Sequence, residues 1–556
     1  MKKNMVKQAL SRKFDTGELD RDSDLQDFLK SINETVRTLN ISEIRKSDDS
    51  AAKLRIAGNQ LYRERKYDEA LVSYNESICY AEPKSDQLGM GYANRSAVYY
   101  EQGEFEFALY NIDLAKRNNY PEKLMPKLLA RELNCKQQIV LGHSKGTVPR
   151  PMMSINVDTH PRIPFLADGI GMNYYPRCGR GLAAEKDFNP GDVILDEKIE
   201  LCGIDFDLAC HNCNHCSARF NYSLIPCPTC PIFMYCSQEC LEQNWKFYHR
   251  FECGVATKLS SASFVTLMVS PRLFFYGLSQ FGDDLQAMME YCEPEVTEPS
   301  NPLDLDYTNL NRLEVYKALY NNHPFSDPEI EYVMKYVACV YYVVFLENPA
   351  VSSIILTAAQ QRFFLLSLLQ HARLSCSLLA DTSDSQSRSL GTISPVYSIC
   401  NHSCDPNAAT FIDSGRSKVI ILRPVHKGEQ IVTSYGPTWW RPRPGHILGF
   451  RCSCISCNAD QKWRSMIEQR FSPEASKNLQ TLYEVTARNE FSVASKLNAL
   501  QQFVKRYADR YHPQKDLGMI LSSYRLLLDF AVRNENVALE RAHLQAAYAD
   551  HSVAAK

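Results

Sequence analysis

The chain has 556 residues, 62 Lys plus Arg against 64 Asp plus Glu, a formal net charge of −2, and 20 cysteines. Its length calls for several domains. The near-neutral balance without a long basic run excludes a broad nucleic-acid face, and the longest apolar run, Val337 to Leu346, falls far short of a membrane span. So many cysteines without a secretory signal imply a reducing compartment, with thiols that bind metal or are buried.

The first segment, MKKNMVKQALSRK, is basic, lacks an apolar core and soon turns acidic at Asp15, Glu18 and Asp20. Residues 1–50 are therefore expected to be a polar, partly helical lead-in. From Ala51 small and aromatic residues recur at helical spacing: Gly58, Leu61, Tyr62, Ala70, Leu71, Tyr74 and Ile78, then Pro83. The pattern returns at Ala93, Ala97, Tyr100, Ala108, Leu109 and Ile112, ending at Pro121. Two aligned copies, about 34 residues each plus a short insertion, are the tetratricopeptide signature. Glu122 to Leu141 reads as a closing helix, so residues 51–142 form a repeat array. Such arrays hold peptides in a concave face. Lys53, Arg63, Lys66 and Arg95 are read first as a solvated face and second as a grip on an acidic carboxyl terminus.

A turn-rich stretch, 143–160, leads into residues 160–209. Strands are expected at Gly181–Ala184 and Val193–Glu197, around a turn at Asn189-Pro190-Gly191. Gly179-Arg180-Gly181 lacks the following glycine and long helix of a dinucleotide fold, which excludes that fold. Its glycines allow close approach to the backbone.

Between Cys210 and Cys253 lie eight soft ligands in four close pairs: Cys210-x2-Cys213, Cys227-x2-Cys230, Cys236-x3-Cys240 and His249-x3-Cys253. The x2 pairs suit tight turns whose amides face the thiolates. The x3 pairs put both ligands on one face of a short helix, and Ser237 is a plausible start for one. Alternate pairing places Cys210, Cys213, Cys236 and Cys240 on one zinc ion, and Cys227, Cys230, His249 and Cys253 on a second. Cys216 is left over as a spare thiol. With Tyr235 before Cys236 and Trp245 before His249, residues 210–253 resemble a MYND finger, a protein-binding module.

Residues 254–390 read as a helical insert, with surface loops at Asp283–Asn309 and 383–389. Residues 391–437 alternate strands (Ala408–Ile412, Lys418–Pro424, Gln430–Ser434) with turns at Asp413–Arg416 and His426-Lys427-Gly428. Residues 438–460 carry Cys452-x-Cys454-x2-Cys457, one ligand short of a tetrahedron, with Cys404 as the obvious fourth for a third zinc. Residues 470–556 read as consecutive amphipathic helices.

The ordered set GRGL, PGDVIL, NHSCDPN, KGEQIVTSYG and CSCISC, with the finger inserted after the first block, resembles the SET and MYND domain protein-lysine methyltransferases. The array in front points to the repeat-bearing branch. The resemblance implies a multidomain α+β architecture: a β-rich SET fold, with an inserted MYND zinc finger and helical insert, between the N-terminal tetratricopeptide (TPR) array and C-terminal TPR-like helices. It implies a knot-like crossing of the NHSC and SYG segments and S-adenosyl-L-methionine as methyl donor. The backbone of Arg180, Gly181 and Leu182, with Ser398, Asn401 and His402, would hold the donor, and Phe450 would stack on its adenine. Tyr435 would orient the amine and polarise the methyl. It also implies a protein substrate offering a lysine, a cytoplasmic and nuclear location, no nucleic-acid or membrane partner, and a monomer.

Three positions depart from the family pattern. Leu448 stands where a tyrosine is usual, Ser377 follows Cys376 where an asparagine is usual, and the link from Tyr435 to Cys452 is short. They motivate a rival reading: a catalytically weak or inactive scaffold acting as a transcriptional or chaperone-linked adaptor.

Overall fold

The computed structural model describes residues 23–145, 153–176, 178–204, 206, 209–218, 223–262, 268–292, 301–320, 331–378, 390–413, 415–441, 452–488 and 490–533. Helix α1 (Leu25–Leu39) starts at Asp24, whose side chain accepts from the N–H groups of Gln26 and Asp27 (2.8 and 2.9 Å). Phe28, Ile32 and Val36, four apart, are buried on one face against the helical insert. The expected lead-in is thus partly a packed helix; its polar average hides a narrow apolar stripe.

Helices α2 (Asp48–Arg63), α3 (Tyr67–Tyr80), α4 (Asp86–Glu101), α5 (Phe105–Arg117) and α6 (Met125–Val140) follow, each packed on the next. Ser47 and Ser85 cap α2 and α4 through their hydroxyls. Gly58 lets α2 approach α3: a Cβ there would lie 2.6 Å from the Tyr74 ring. The array shares one apolar core with the cysteine-rich segment. Arg95, fully buried, donates to Asn75 Oδ1 (2.7 Å), Asn111 Oδ1 (2.6 Å) and the Leu224 carbonyl (2.8 Å). It is a tether between these parts, not a solvated cation, because three aligned acceptors replace its water.

The central sheet has five antiparallel strands in the order β1 (Thr159–His160), β2 (Ile163–Ala167), β5 (Val193–Lys198), β12 (Arg416–Ile421), β11 (Ala408–Asp413). Beside it stand the hairpin β3 (Ile170–Tyr175)–β4 (Gly179–Ala184) and the pair β6 (Leu201–Ile204)–β9 (Leu390–Ile393), and the cysteine-rich segment carries the short antiparallel pair β7 (Ile225–Pro226)–β8 (Met234–Tyr235). β5 and β12 are sheet neighbours although the finger and the helical insert lie between them in sequence. β12 starts two residues before the expected strand and stops at Ile421. Beyond it, the N–H groups of Leu422 and Arg423 share the Asn407 carbonyl (2.8 and 3.3 Å), which ends the one-to-one ladder, and Pro424 has no N–H to offer.

The insert packs α8 (Val269–Gln280), α9 (Glu331–Leu346) and α10 (Ala358–Leu378) around Phe274, Phe275, Phe345 and Phe364. The segment expected as a loop after Asp283 contains a helix at Leu285–Cys292, because Leu285, Met288 and Met289 bury one face. Helices α11 (Pro473–Ala487) and α12 (Val493–Tyr511) and the helical residues 515–533 cover the outer face of the sheet over Val193, Phe411, Ile420 and Leu422. The last expected helix, NVALERAHLQAAYADH, lies outside the described residues.

Candidate active site and metal centres

Two short strands, β10 (Asn401–His402) and β13 (Val432–Thr433), pair in parallel, with Asn401 opposite Val432 and His402 opposite Thr433. β4 lies alongside: the Ile431 N–H donates to the Leu182 carbonyl (2.9 Å), and Asn401 Nδ2 donates to the Arg180 carbonyl (2.9 Å). Gly181 is required where these segments meet, since a Cβ would lie 2.5 Å from Gln430 Nε2 and 2.6 Å from Asn401 Nδ2. Asn407 bolts the crossing. Its Nδ2 donates to the Gln430 carbonyl (2.8 Å) and its Oδ1 accepts from the Val432 N–H (2.9 Å).

Tyr435 leaves this crossing half-buried. Its N–H donates to His402 Nδ1 (3.0 Å) and its hydroxyl donates to the Cys400 carbonyl (2.7 Å). A backbone N–H can only donate, so His402 carries its proton on Nε2, which faces Cys404 Sγ at 3.3 Å. Burial pushes the Tyr435 hydroxyl well above its ordinary pKa, with Tyr397 and Cys400 adding to the effect. It remains a neutral donor at physiological pH.

Among the described residues, three groups of four side chains bring their ligand atoms within 4.8 Å of one another and could each hold a metal ion. In the finger one is Cys227, Cys230, His249 and Cys253. The Thr229 and Cys230 N–H groups face the Cys227 sulfur (3.4 and 3.5 Å), and His249 Nε2 lies 3.3 Å from that sulfur. Its Nδ1 meets Glu252 (3.3 Å), which is locked in a buried pair with Arg272 (2.6 and 3.0 Å). A carboxylate behind a ligating histidine fixes its ring and tautomer. Arg272 and the His249 contact hold the Glu252 carboxyl down to about 2 against the cost of burial. Nothing in the residue spacing announced this pair.

The second group is Cys213, Cys216, Cys236 and Cys240. Cys216 therefore takes the place expected for Cys210. CHNCNHC contains two overlapping x2 registers, and a turn selects the later one. The Ser217 N–H donates to the Cys213 carbonyl (2.8 Å), Asn212 Nδ2 donates to the Ser217 carbonyl (2.9 Å), and Ser217 adopts φ +64°. Cys210 stands instead beside His211 and Glu76 of α3. As expected from sequence, Ser237 caps the helix α7 (Gln238–Asn244) that carries Cys240 (3.1 Å).

The third group joins Cys404 to Cys452, Cys454 and Cys457, with the Cys404 and Cys457 sulfurs 3.6 Å apart. It ties the segment after Tyr435 to the strip that carries His402.

Residues 179–436 match the family model of the SET domain. The chain carries a SET domain. It is similar to the protein-lysine N-methyltransferase SMYD4 of Mus musculus, 23% identical over 548 residues, which cover 75% of this chain and 68% of that protein. The Homo sapiens SMYD4 gives 23% over 551 residues, with the same coverage. The histone-lysine N-methyltransferase ASHR1 of Arabidopsis thaliana is 27% identical over 304 residues, 53% of this chain and 56% of that one. The chain thus spans about two thirds of the length of the SMYD4 proteins. Its resemblance to the SET and MYND methyltransferases extends well beyond the SET domain.

Within the SET domain, Arg180, Gly181, Asn401, His402 and Tyr435 come together around the crossing. Leu182 is fully buried and joins through its backbone. The Ser398 hydroxyl is engaged within its own turn, donating to the Ser394 carbonyl (2.5 Å). Phe450 and Leu448 lie outside the described residues, and the side chain of Ser377 is likewise not described. Sequence reasoning missed Glu197. It is 2% exposed and its two oxygens accept from the N–H groups of Val396 (3.0 Å) and Tyr397 (2.7 Å), bracing the 3₁₀ turn Tyr397–Ile399 that leads into β10.

Proposed function

We propose that this chain transfers a methyl group from S-adenosyl-L-methionine to a lysine side chain of a protein. The observation that carries the reading is Tyr435, braced by His402 and Cys400 beside the Asn401–Arg180 contact. The names of the relatives SMYD4, ASHR1 and SMYD2, each a lysine methyltransferase, support it. The residues fit the donor: among the described residues, buried Gln430 Nε2 has no hydrogen-bond partner, and it sits against Gly181. A buried amide donor left idle calls for an acceptor from a ligand.

When bound, the donor would supply an electrophilic methyl on sulfur for the lone pair of an unprotonated lysine amine. The protein's part is positioning. Arg180, Gly181 and Leu182 offer backbone groups, and Asn401 and His402 close the opposite wall. Tyr435, neutral and braced, orients the entering amine, which must arrive unprotonated. Three zinc ions would hold the finger and the segment after Tyr435. The finger and the helical array serve as MYND and TPR partner-binding modules.

Calorimetry with S-adenosylmethionine and radiolabelled methyl transfer to a cell extract test the reading together. Tyr435→Phe should bind the donor within about twofold of wild type while losing roughly a hundredfold or more in transfer. Absence of donor binding by the zinc-loaded protein, or undiminished transfer by the variant, would overturn it.

A further inference from the structure

Where the array meets the finger, three side chains of ligating type converge outside the three four-ligand clusters. Cys210 and His211 come from the start of the cysteine-rich segment and Glu76 from α3, and their ligand atoms lie within 4.8 Å of one another. All three residues are half-buried. The Cys210 sulfur lies 3.4 Å from His211 Nε2 and 3.7 Å from its Nδ1. Zinc–sulfur and zinc–nitrogen bonds of about 2.3 and 2.0 Å, at a tetrahedral angle, set two such atoms about 3.5 Å apart.

Both sides of this cluster are held in place. Asn214 is fully buried, and its Nδ2 donates to the Ala209 carbonyl (2.7 Å) and to the Asn212 carbonyl (3.2 Å). One amide thus clamps the residues on either side of Cys210 and His211. On α3, Asn75 accepts from Arg95 (2.7 Å), which also donates to the Leu224 carbonyl of the finger (2.8 Å). Glu76 is therefore the immediate neighbour of a residue bolted to the finger, and the array and finger share one apolar core. Ligands positioned before a metal arrives keep the ordering cost of binding low.

We infer that Glu76, Cys210 and His211 form a fourth metal site, which takes a divalent cation of the zinc class and fastens the array to the finger. A thiolate and an imidazole select such ions over magnesium and calcium, which take oxygen ligands. The charges balance: the Cys210 thiol gives its proton to solvent as the sulfur–metal bond forms, and thiolate plus carboxylate offset the two charges of the cation. Three protein ligands leave the fourth position to water. With one ligand fewer than the other clusters, and reached by solvent, the site releases its metal where they keep theirs. Purified protein then carries metal in the three closed clusters, and the fourth site fills on titration. The site draws no residue from the β10–β13 crossing, so it stands whether or not the chain transfers methyl groups.

Cobalt(II), which reports thiolate ligation through a charge-transfer absorption, tests the site on the full zinc-loaded chain without any methyl donor. About one equivalent should bind with that absorption, while elemental analysis shows the zinc already present to be retained. Cys210→Ser should abolish the absorption. Glu76→Gln should weaken cobalt binding about tenfold or more, because the charged ligand from α3 is gone. Cobalt should also raise the melting temperature of the wild type, and raise that of Glu76→Gln less, since it binds only where array and finger are docked. Magnesium should do neither. Zinc content and melting measured before cobalt is added check that each variant is folded. No thiolate absorption on adding cobalt, cobalt that enters only by expelling zinc, an unchanged spectrum in Cys210→Ser, or Glu76→Gln binding as tightly as wild type would overturn the assignment.

Discussion

Glu197 shows how a single buried acid can govern the strip that bears the candidate site. Its carboxyl group braces the turn before β10 through the N–H groups of Val396 and Tyr397. Burial pushes its pKa up to about 8, against the pull of those two donors and of Arg416. The folded state therefore holds this proton more tightly than the unfolded chain does, whose carboxyl ionises near its ordinary value of about 4.3. Stability from this group is fully present below that ordinary value and is lost as pH rises towards 8, at up to about 1.4 kcal/mol per unit. Glu197→Gln keeps the shape but cannot ionise. Comparing the two proteins' thermal midpoints at pH 5.5 and pH 8.5 should show wild type losing stability relative to the variant as pH rises. A constant difference would mean that Glu197 is ionised throughout. Gln430 poses the complementary case, a buried amide held ready for a bond that no described residue makes.

At the scale of elements, what was legible in sequence is what depends on neighbours along the chain. Asn189-Pro190-Gly191 marks a turn wherever it occurs, and Gly191 takes φ +91° there. Ser237 caps its helix because the next residues start one. Spacing located every cysteine cluster but could not choose between overlapping registers, because the choice belongs to the turn that Asn212 and Ser217 close. Nor could it see that Arg95 and Arg272 are interior residues, since the acceptors that make burial tolerable arrive from distant segments. The two ligand sets predict different metal contents. Elemental analysis of the purified protein should find three zinc ions per chain. Cys216→Ser should lose about one equivalent and lower the melting temperature, whereas Cys210→Ser should keep all three. The reverse result would restore Cys210 to the cluster and make Cys216 the spare thiol.

At the scale of the molecule, the candidate site belongs to no one part. The sheet that carries β12 and β11 offers one face to the SET core and the other to α11, α12 and residues 515–533. The link beyond Tyr435 rests on the same helices: a Cβ on Gly518 would lie 2.7 Å from Trp440, and His512 Nε2 reaches Asp405 of the NHSCDPN strip (2.7 Å). Trp439 packs its ring edge-on to both His512 and Trp463, and its backbone N–H donates to the carbonyl of Cys404, a residue of the third cluster (2.8 Å). Removing residues 470–556 would therefore do two things at once. It would bare Val193, Phe411, Ile420 and Leu422, each worth roughly 1.5–3 kcal/mol when buried, and it would free the Trp439–Trp440 link that positions the Cys404 cluster beside Tyr435. The truncated chain should melt well below the full protein, expose apolar surface to a fluorescent dye and lose S-adenosylmethionine binding in calorimetry, even though every SET motif remains. If it instead stayed monodisperse with its melting temperature unchanged, the C-terminal helices would be an appended partner module, and the sheet would need another source for the cover they supply.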